Sequence, residues 1–593
     1  MKTLLDWMDD RTGLCSAVRC YFHTPIPGGA SPLKIWPGVI LFCFLVQGIT
    51  GLVLWMHYSP SAHTAWESVY HLQHQVPGGW LLRAVHHYTA QVLLVLIGIY
   101  MLQMIVTRAY RAPRELLFWL VALMGIFCLC LMLTGDLLAW DLNSRESTKV
   151  RVEFLNLLPL VGGHLYKLAA GGPEFGHATL TRFLVLHIAV FGGGFLVLWI
   201  LHNLLLRVMR TREAETCDKA SPFWPNQAAL DAVAWVIVLA VVMFLAFQPG
   251  VAGPHRGVEL GAPAAPGGEF PAARPEWAFR GLYEFSHLFP GEWAILPIFV
   301  IPGILFLIVL AMPWIGRTTK GQCFNLGFTA VVLVGIFALS AHSFHKDRHD
   351  EDHQNALATA RQEAHRAVYL AQSPRGIPAT GALTLLREDP LTQGPKIFKD
   401  CASCHDYTDA DGKGIKSEDS SAPNLYNFAT REWIAGLLDP EQIKTAEYFG
   451  NTKFKNGDMA AFVKETFSEL EDDEKEDVQK VVMALSAEAN LESQSTLDKK
   501  DADLIAEGKQ LLADDWGCTD CHKFHEKGQL GGAPDLTGYG SREWLIGIIA
   551  NPADKRFYGK NNDRMPAYAE TLRDKDIEVV TKWLRAEWYK PEK

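Results

Sequence analysis

Charge is scarce in the first 345 residues, which hold 22 Lys and Arg and 19 Asp and Glu, about 12% of the segment. Residues 346–593 hold 33 and 46, about 32% charged. The formal net charge of −10 therefore averages a front of +3 and a back of −13. One compact soluble domain does not divide in this way. Clustered cations are missing from the polar half, which excludes a nucleic-acid binder, since phosphate binding needs them. What remains is a membrane half followed by an acidic soluble half.

Seven segments are apolar and long enough to cross a hydrocarbon core, which takes about 20 residues as a helix. They lie near 36–57, 84–107, 116–135, 183–206, 232–250, 293–315 and 323–342. Lys and Arg are absent from the connection 58–79, whereas 108–114 carries Arg108, Arg111 and Arg114. The connection 207–220 carries Arg207, Arg210, Arg212 and Lys219, and 316–320 carries Arg317 and Lys320. The positive-inside rule then places these connections and the N-terminus in the cytoplasm. An odd number of spans sends residues 346–593 to the outer face, the p-side. Met1–Asp10 has no cleavable signal pattern, so the first span is expected to direct export.

Ionisable groups inside a membrane lean towards function. His187 and His202 are 15 residues apart on one segment, roughly 22 Å along a helix, which gives one histidine per leaflet. His86, near the outer end of the second segment, is level with His187. Two histidines from facing helices at one depth suit a bis-imidazole haem.

In the polar half, Cys401-Ala402-Ser403-Cys404-His405 and Cys518-Thr519-Asp520-Cys521-His522 both match C-x-x-C-H. That spacing sets two thiols along one haem edge for thioether attachment, with the adjacent His reaching the iron. Such attachment occurs outside the cytoplasm, in agreement with the charge pattern. The copies lie 117 residues apart in a repeat. Ala422-Pro423-Asn424-Leu425, Arg431-Glu432-Trp433, Tyr448-Phe449-Gly450 and Met459 are echoed by Ala533-Pro534-Asp535-Leu536, Arg542-Glu543-Trp544, Tyr558-Gly559 and Met565-Pro566. Of eleven cysteines, four belong to these motifs and the others lie within spans or towards the cytoplasm, so no disulfide framework is expected. His345, His349 and His353 recur at helical spacing, as a solvated helix continuing the last span or as a metal site. The acidic run Glu469–Asp477 caps or solvates a helix, or steers a basic electron carrier.

The front half resembles the cytochrome b family of quinol oxidases. The resemblance rests on Gln47-Gly48-Ile49-Thr50-Gly51, Trp80-Leu81-Leu82-Arg83-Ala84-Val85-His86, Pro113-Arg114-Glu115-Leu116, Thr134-Gly135 with Trp140-Asp141, and Thr179-Leu180-Thr181-Arg182-Phe183 leading to His187. The 15-residue step to His202 resembles the b6 branch. Trp224-Pro225-Asn226 and Pro275-Glu276-Trp277-Ala278-Phe279 resemble subunit IV of b6-type complexes. The repeat in the back half looks like two class-I-type cytochrome c domains. The fold implied is all-α, a seven-helix transmembrane cytochrome b core followed by two small helical cytochrome c domains. The expected division is a b6-like part over 1–222, a subunit IV-like part over 223–345, a helical connector over 346–390, and c domains over 391–490 and 500–593.

Carried over residue by residue, the resemblance implies that His86 and His187 ligate a p-side haem b, with Gly51 and Gly135 giving it room and Arg83 meeting a propionate. It implies that Glu276 accepts a proton from quinol, although Ala278 stands where the family has Tyr. Met459 and Met565 would be sixth ligands of two c haems held by Cys401, Cys404, His405 and by Cys518, Cys521, His522. The inner, n-side haem site departs: its second ligand position is Tyr100, two glycine positions are Pro37 and Val121, and an anchoring cysteine position is Ile35. Only His202 remains, so the n-side haem is expected to be absent or not bis-His, the alternative being a His/Tyr or five-coordinate haem in a shifted pocket. The implied role is a quinol:cytochrome c-type oxidoreductase subunit in a bacterial inner membrane, with a homodimeric core in contact with lipid. It would pair with a Rieske iron–sulfur protein, since the chain has no C-x-H…C-x-x-H pair, and would feed a periplasmic acceptor. The alternatives are an electron-relay subunit without quinol turnover of its own and a membrane anchor for the dihaem part.

Overall fold

The computed structural model describes residues 4–217, 219–248, 257–265 and 270–590. It is almost wholly helical, with two short two-stranded ribbons. Among the described residues seven helices are long and apolar enough to cross a membrane: α1 (Trp36–His57), α2 (Gly79–Val106), α3 (Glu115–Ala139), α4 (His177–Glu215), α5 (Asn226–Phe247), α6 (Gly291–Ile315) and α7 (Thr319–His349). They fall on the seven apolar segments; residues 249 and 250, the end of the fifth, lie outside the described residues. Helices suit such segments because each backbone donor and acceptor is satisfied within the span.

The chain forms two compact units, 1–371 with 377–383, and 372–376 with 384–593. In the first, α2 packs between α1 and α3, α4 lies against α3, and α5 against α2. Buried Val39, Leu93, Ile97, Met124 and Phe195 fill the space between them. Indole and amide donors tie the later helices to the earlier ones. Trp235 Nε1 donates to Gly38 O at 3.0 Å, Trp119 Nε1 to Leu310 O at 2.9 Å, and Asn325 Nδ2 to Tyr110 Oη at 3.0 Å. A ribbon pairing Pro25–Pro27 with Ala220–Pro222 joins the N-terminal segment to the end of α4. Asp347, near the end of α7, is gripped by Arg274 at 3.0 Å and by Arg280, which pins the chain around Glu276. The connector continues as α8 (Glu351–Ala371). His345 and His349 stack at 4.3 Å and His353 is buried 3.7 Å from Asp347. No metal-binding cluster of three His, Cys, Asp or Glu occurs among the described residues.

The second unit holds both C-x-x-C-H repeats around one apolar core. Its helices are α9 (Pro390–Phe398), α10 (Arg431–Leu437), α11 (Asp472–Glu488), α12 (Ala502–Gln510), α13 (Arg542–Ala550) and α14 (Asp574–Leu584). Equivalent caps start the two R-E-W helices: Thr430 Oγ1 accepts from Trp433 N and Ser541 Oγ from Trp544 N, both at 3.2 Å. The acidic run at Glu471–Glu474 begins α11 as a capping box, with carboxylates at the positive end of the helix dipole. α9 packs on α14, and α11 on α12.

Candidate haem and quinol sites

His86 projects from α2 and His187 from a π-helical stretch of α4, Leu186–Gly192. A π turn holds an extra residue and re-aims the side chains beyond it, and such turns recur at functional sites. The imidazole centres stand 6.3 Å apart, at 59°. Two rings trans across one metal ion, each bonded at about 2 Å, have centres roughly 6 Å apart. Hydrogen bonds fix both tautomers. Thr50 gives its proton to Val46 O at 2.6 Å and Thr134 its own to Cys130 O at 2.7 Å. Each threonine oxygen is then an acceptor for a histidine Nδ1–H, at 2.9 Å for His86 and 3.1 Å for His187. His187 Nδ1 also lies 3.1 Å from Leu131 O. This arrangement leaves both Nε2 lone pairs for a metal.

Gly51 and Gly135 come directly after these threonines. A Cβ on Gly51 would come within 3.1 Å of His86 Cε1, and one on Gly135 within 2.8 Å of His187 Cε1. The glycines therefore make room for the imidazoles themselves. Arg83, one turn before His86, meets Gln73 Oε1, Val258 O at 3.0 Å and Glu259 O at 3.4 Å. Its guanidinium is surrounded by neutral oxygens, a setting that accommodates an anionic propionate. The facing imidazoles, their Nε2 lone pairs and the guanidinium of Arg83 together fit a bis-histidine haem.

Glu276 is half-buried in the loop before α6. Gln91 of α2, five residues beyond His86, donates to its Oε2 at 3.2 Å and accepts from Trp277 Nε1. Burial, with the nearby Asp136 carboxylate, pushes the Glu276 carboxyl up to about 7. A carboxyl that titrates near neutrality can take and pass on protons.

At the other end of the bundle Tyr100 Oη lies 3.1 Å from His202 Nε2, with both side chains buried. Two axial donor atoms on one iron would stand about 4 Å apart, so these two atoms have no iron's width between them. Trp36 stacks on Tyr100 at 5.8 Å, Val121 is fully buried, and Trp199 Nε1 donates to Pro37 O at 3.2 Å. Phe44 stacks on Phe195 at 5.1 Å nearby.

In the second unit, His405 Nδ1 meets Pro423 O at 2.8 Å and His522 Nδ1 meets Pro534 O at 2.7 Å. A carbonyl accepts only from N–H, so each Nε2 is again left unprotonated for a metal. The four motif cysteines are unpaired thiols in this structure. Met459 and Met565 both pack against the common core.

A family model described as cytochrome b (N-terminal)/b6/petB matches residues 91–254, and one described as cytochrome c matches 391–485 and again 505–588. A cytochrome bc complex cytochrome b subunit of Chlorobaculum thiosulfatiphilum is 30% identical over 348 residues, 56% of this chain and 78% of that protein. The chain belongs to the cytochrome b family of bc complexes. A menaquinol:cytochrome c reductase cytochrome b subunit of Bacillus subtilis (strain 168) is 31% identical over 216 residues, 35% of this chain and 96% of the relative. A chain of a solved hyperthermophilic respiratory Complex III has a TM-score of 0.44 and 22% identity, over 57% of this chain and 99% of its own length.

This cytochrome b is an integral membrane protein continuous with two cytochrome c domains, an electron-transport subunit built for haem b and haem c. The sequence motifs did not single out the residues that orient its histidines. Thr50 and Thr134 stand inside those motifs, each directly before a glycine, and that shared Thr-Gly pair was the available signal. Gln91 carries no such signal, because only the tertiary fold brings it to Glu276.

Proposed function

We propose that the chain oxidises quinol on the p-side as the cytochrome b subunit of a quinol:cytochrome c-type oxidoreductase, and passes electrons to its own c domains. The observation that carries this is one helix, α2, bearing both His86, whose ring faces His187 at 6.3 Å, and Gln91, which donates to the Glu276 carboxylate. Oxidation of a quinol needs two protons removed, and Glu276, titrating near neutrality, takes one at its carboxylate. Gln91 and Trp277 hold that carboxylate in place. Haem b held by His86 and His187 supplies one-electron chemistry, and Thr50 and Thr134 set the orientation and basicity of both ligands. Arg83 receives a propionate.

The same reading makes Cys401, Cys404, His405 and Met459, and Cys518, Cys521, His522 and Met565, the attachment and ligand residues of two c haems. The second, n-side haem b is absent, a reading supported by the direct Tyr100–His202 contact and by Trp36, Pro37 and Val121 around it. The high-potential electron acceptor is a Rieske protein, for which this chain has no cluster motif, and the final acceptor is periplasmic. The core is a homodimer in a bacterial inner membrane, N-terminus inside and c domains outside. The relative from Bacillus subtilis is named for menaquinol and cytochrome c, which supports this substrate class.

Glu276→Gln in the purified complex tests the reading. Quinol:cytochrome c activity is expected to fall on the order of 10²-fold with all haem spectra unchanged; full activity would remove Glu276 from the reaction. A pyridine haemochrome assay is expected to return one b haem for two c haems, and a 2:2 ratio would restore the n-side haem.

A further inference from the structure

We propose that the two cytochrome c repeats exchange their distal halves, so that each haem takes its histidine from one repeat and its methionine from the other. His405 is paired with Met565, and His522 with Met459. The inference rests on the reading of these residues as haem ligands and adds which methionine serves which haem.

The packing of the terminal helices carries it. A repeat that closed on itself would lay its first helix on its last. Here the first helix of repeat one, α9, lies on α14, the last helix of repeat two. The first helix of repeat two, α12, lies on α11, the last helix of repeat one. The pairings within a repeat, α9 on α11 and α12 on α14, are not among the packed helix pairs of the described residues. Each exchanged crossing is close enough to need glycine. A Cβ on Gly394 would fall 2.2 Å from the Trp583 ring, and one on Gly508 would fall 2.0 Å from Lys480 O. Three salt bridges at these crossings follow the same pairing: Lys575 with Glu388 at 3.1 Å, Lys509 with Glu488 at 2.7 Å, and Lys480 with Glu507 at 3.1 Å.

The methionine loops go with their helices. Tyr568, three residues after Met565, donates its hydroxyl to Asp400 O at 3.2 Å, next to Cys401 of the other repeat. Trp583 stacks on Tyr407 at 4.1 Å and Phe398 at 5.2 Å, on both sides of the first haem motif. Phe462, three residues after Met459, packs on Phe467 at 5.7 Å, and Phe467 packs on Trp516, two residues before Cys518, at 5.3 Å. The histidine sides stay at home, since His405 and His522 bond to Pro423 and Pro534 of their own repeats. Between the two portions the turns at 427–429 and 538–540 meet. Asn427, Ala429, Gly538 and Gly540 all have left-handed φ, and a Cβ on Gly540 would reach Ala429 Cβ at 2.4 Å.

The test uses the full chain with one c haem removed. In Cys518→Ser/Cys521→Ser, which of the two c haems keeps only the one at His405, Met565→Ala is expected to abolish the sulfur-to-iron charge-transfer band and open the reduced c haem to CO. Met459→Ala in that background is expected to leave both unchanged. The reverse result would overturn the exchange while keeping methionine ligation. If neither substitution alters that haem, the methionine reading itself falls, and the exchange with it. A second measurement keeps both haems. Glu388→Cys with Lys575→Cys, treated with a short bis-maleimide, is expected to give the 388–575 cross-linked peptide with unchanged haem spectra. Absence of that peptide would overturn the exchange.

Discussion

Thr50 and Thr134 show how much of the haem b site is decided by single atoms. Each hydroxyl is an acceptor towards histidine because its proton is committed to a carbonyl four residues back. Replacing Thr50 by valine keeps the shape and removes the hydroxyl acceptor of His86 Nδ1, whereas His187 Nδ1 would keep Leu131 O without Thr134. A hydrogen bond that makes a ligand more basic favours the oxidised metal, so Thr50→Val is expected to raise the haem b midpoint. At about 1 kcal/mol per hydrogen bond the shift is roughly 40 mV for one electron, readable in a redox titration with haem content unchanged. Glu276 carries its own signature at this scale. Its carboxyl is pushed up to about 7 by burial, and the base form is the one above that value. Quinol oxidation is therefore expected to rise with pH, roughly tenfold per unit below about 7, and to level above it. Glu276→Gln should remove this limb from the pH profile while leaving the haem spectra in place.

At the scale of elements, the seven spans were legible because apolar length is a local property, and the two cytochrome c domains because their motifs recur in order along the chain. The caps of α10 and α13 were equally local. The features that stayed hidden depend on partners. The π turn carrying His187 has no local pattern in Leu186–Gly192, since it is imposed by the fit of α4 against α3. The repeat gave the helices of the c domains but not which helix lies on which, because α11 and α14 present similar apolar faces and either could receive α9. That choice is made by Gly394 against Trp583 and Gly508 against Lys480, contacts between residues far apart in sequence. Trp583 is 5% exposed and touches Phe398 and Tyr407 of the other repeat. Trp583→Ala is expected to cost about 3–5 kcal/mol and to lower the melting of the c unit as a whole, followed by circular dichroism. Two separate transitions, with only one shifted, would show that the repeats melt independently.

For the whole molecule, the division of charge near residue 345 acquires a role once the haem inventory is set beside it. The front, with 22 cations and 19 anions, holds the seven apolar helices and, on the proposed function, the quinol chemistry. The back, with 33 and 46, carries the c haems and a field of one sign. Like charges on a folded unit repel one another, so an excess of thirteen anions opposes folding of the back and is useful only towards something outside it. Part of that excess is placed by helix starts, as at Glu471–Glu474, but the helix needs only a few of those carboxylates. On the proposed function, a field of that sign attracts a cationic electron acceptor over distances comparable to the Debye length, about 10 Å at 0.1 M salt. The rate of electron transfer from the reduced chain to a basic soluble cytochrome is therefore expected to fall steeply as ionic strength rises, and the rate to an acidic one to rise. Stopped-flow mixing across a salt series measures both slopes, and a flat response to salt with the basic partner would exclude steering by the acidic half.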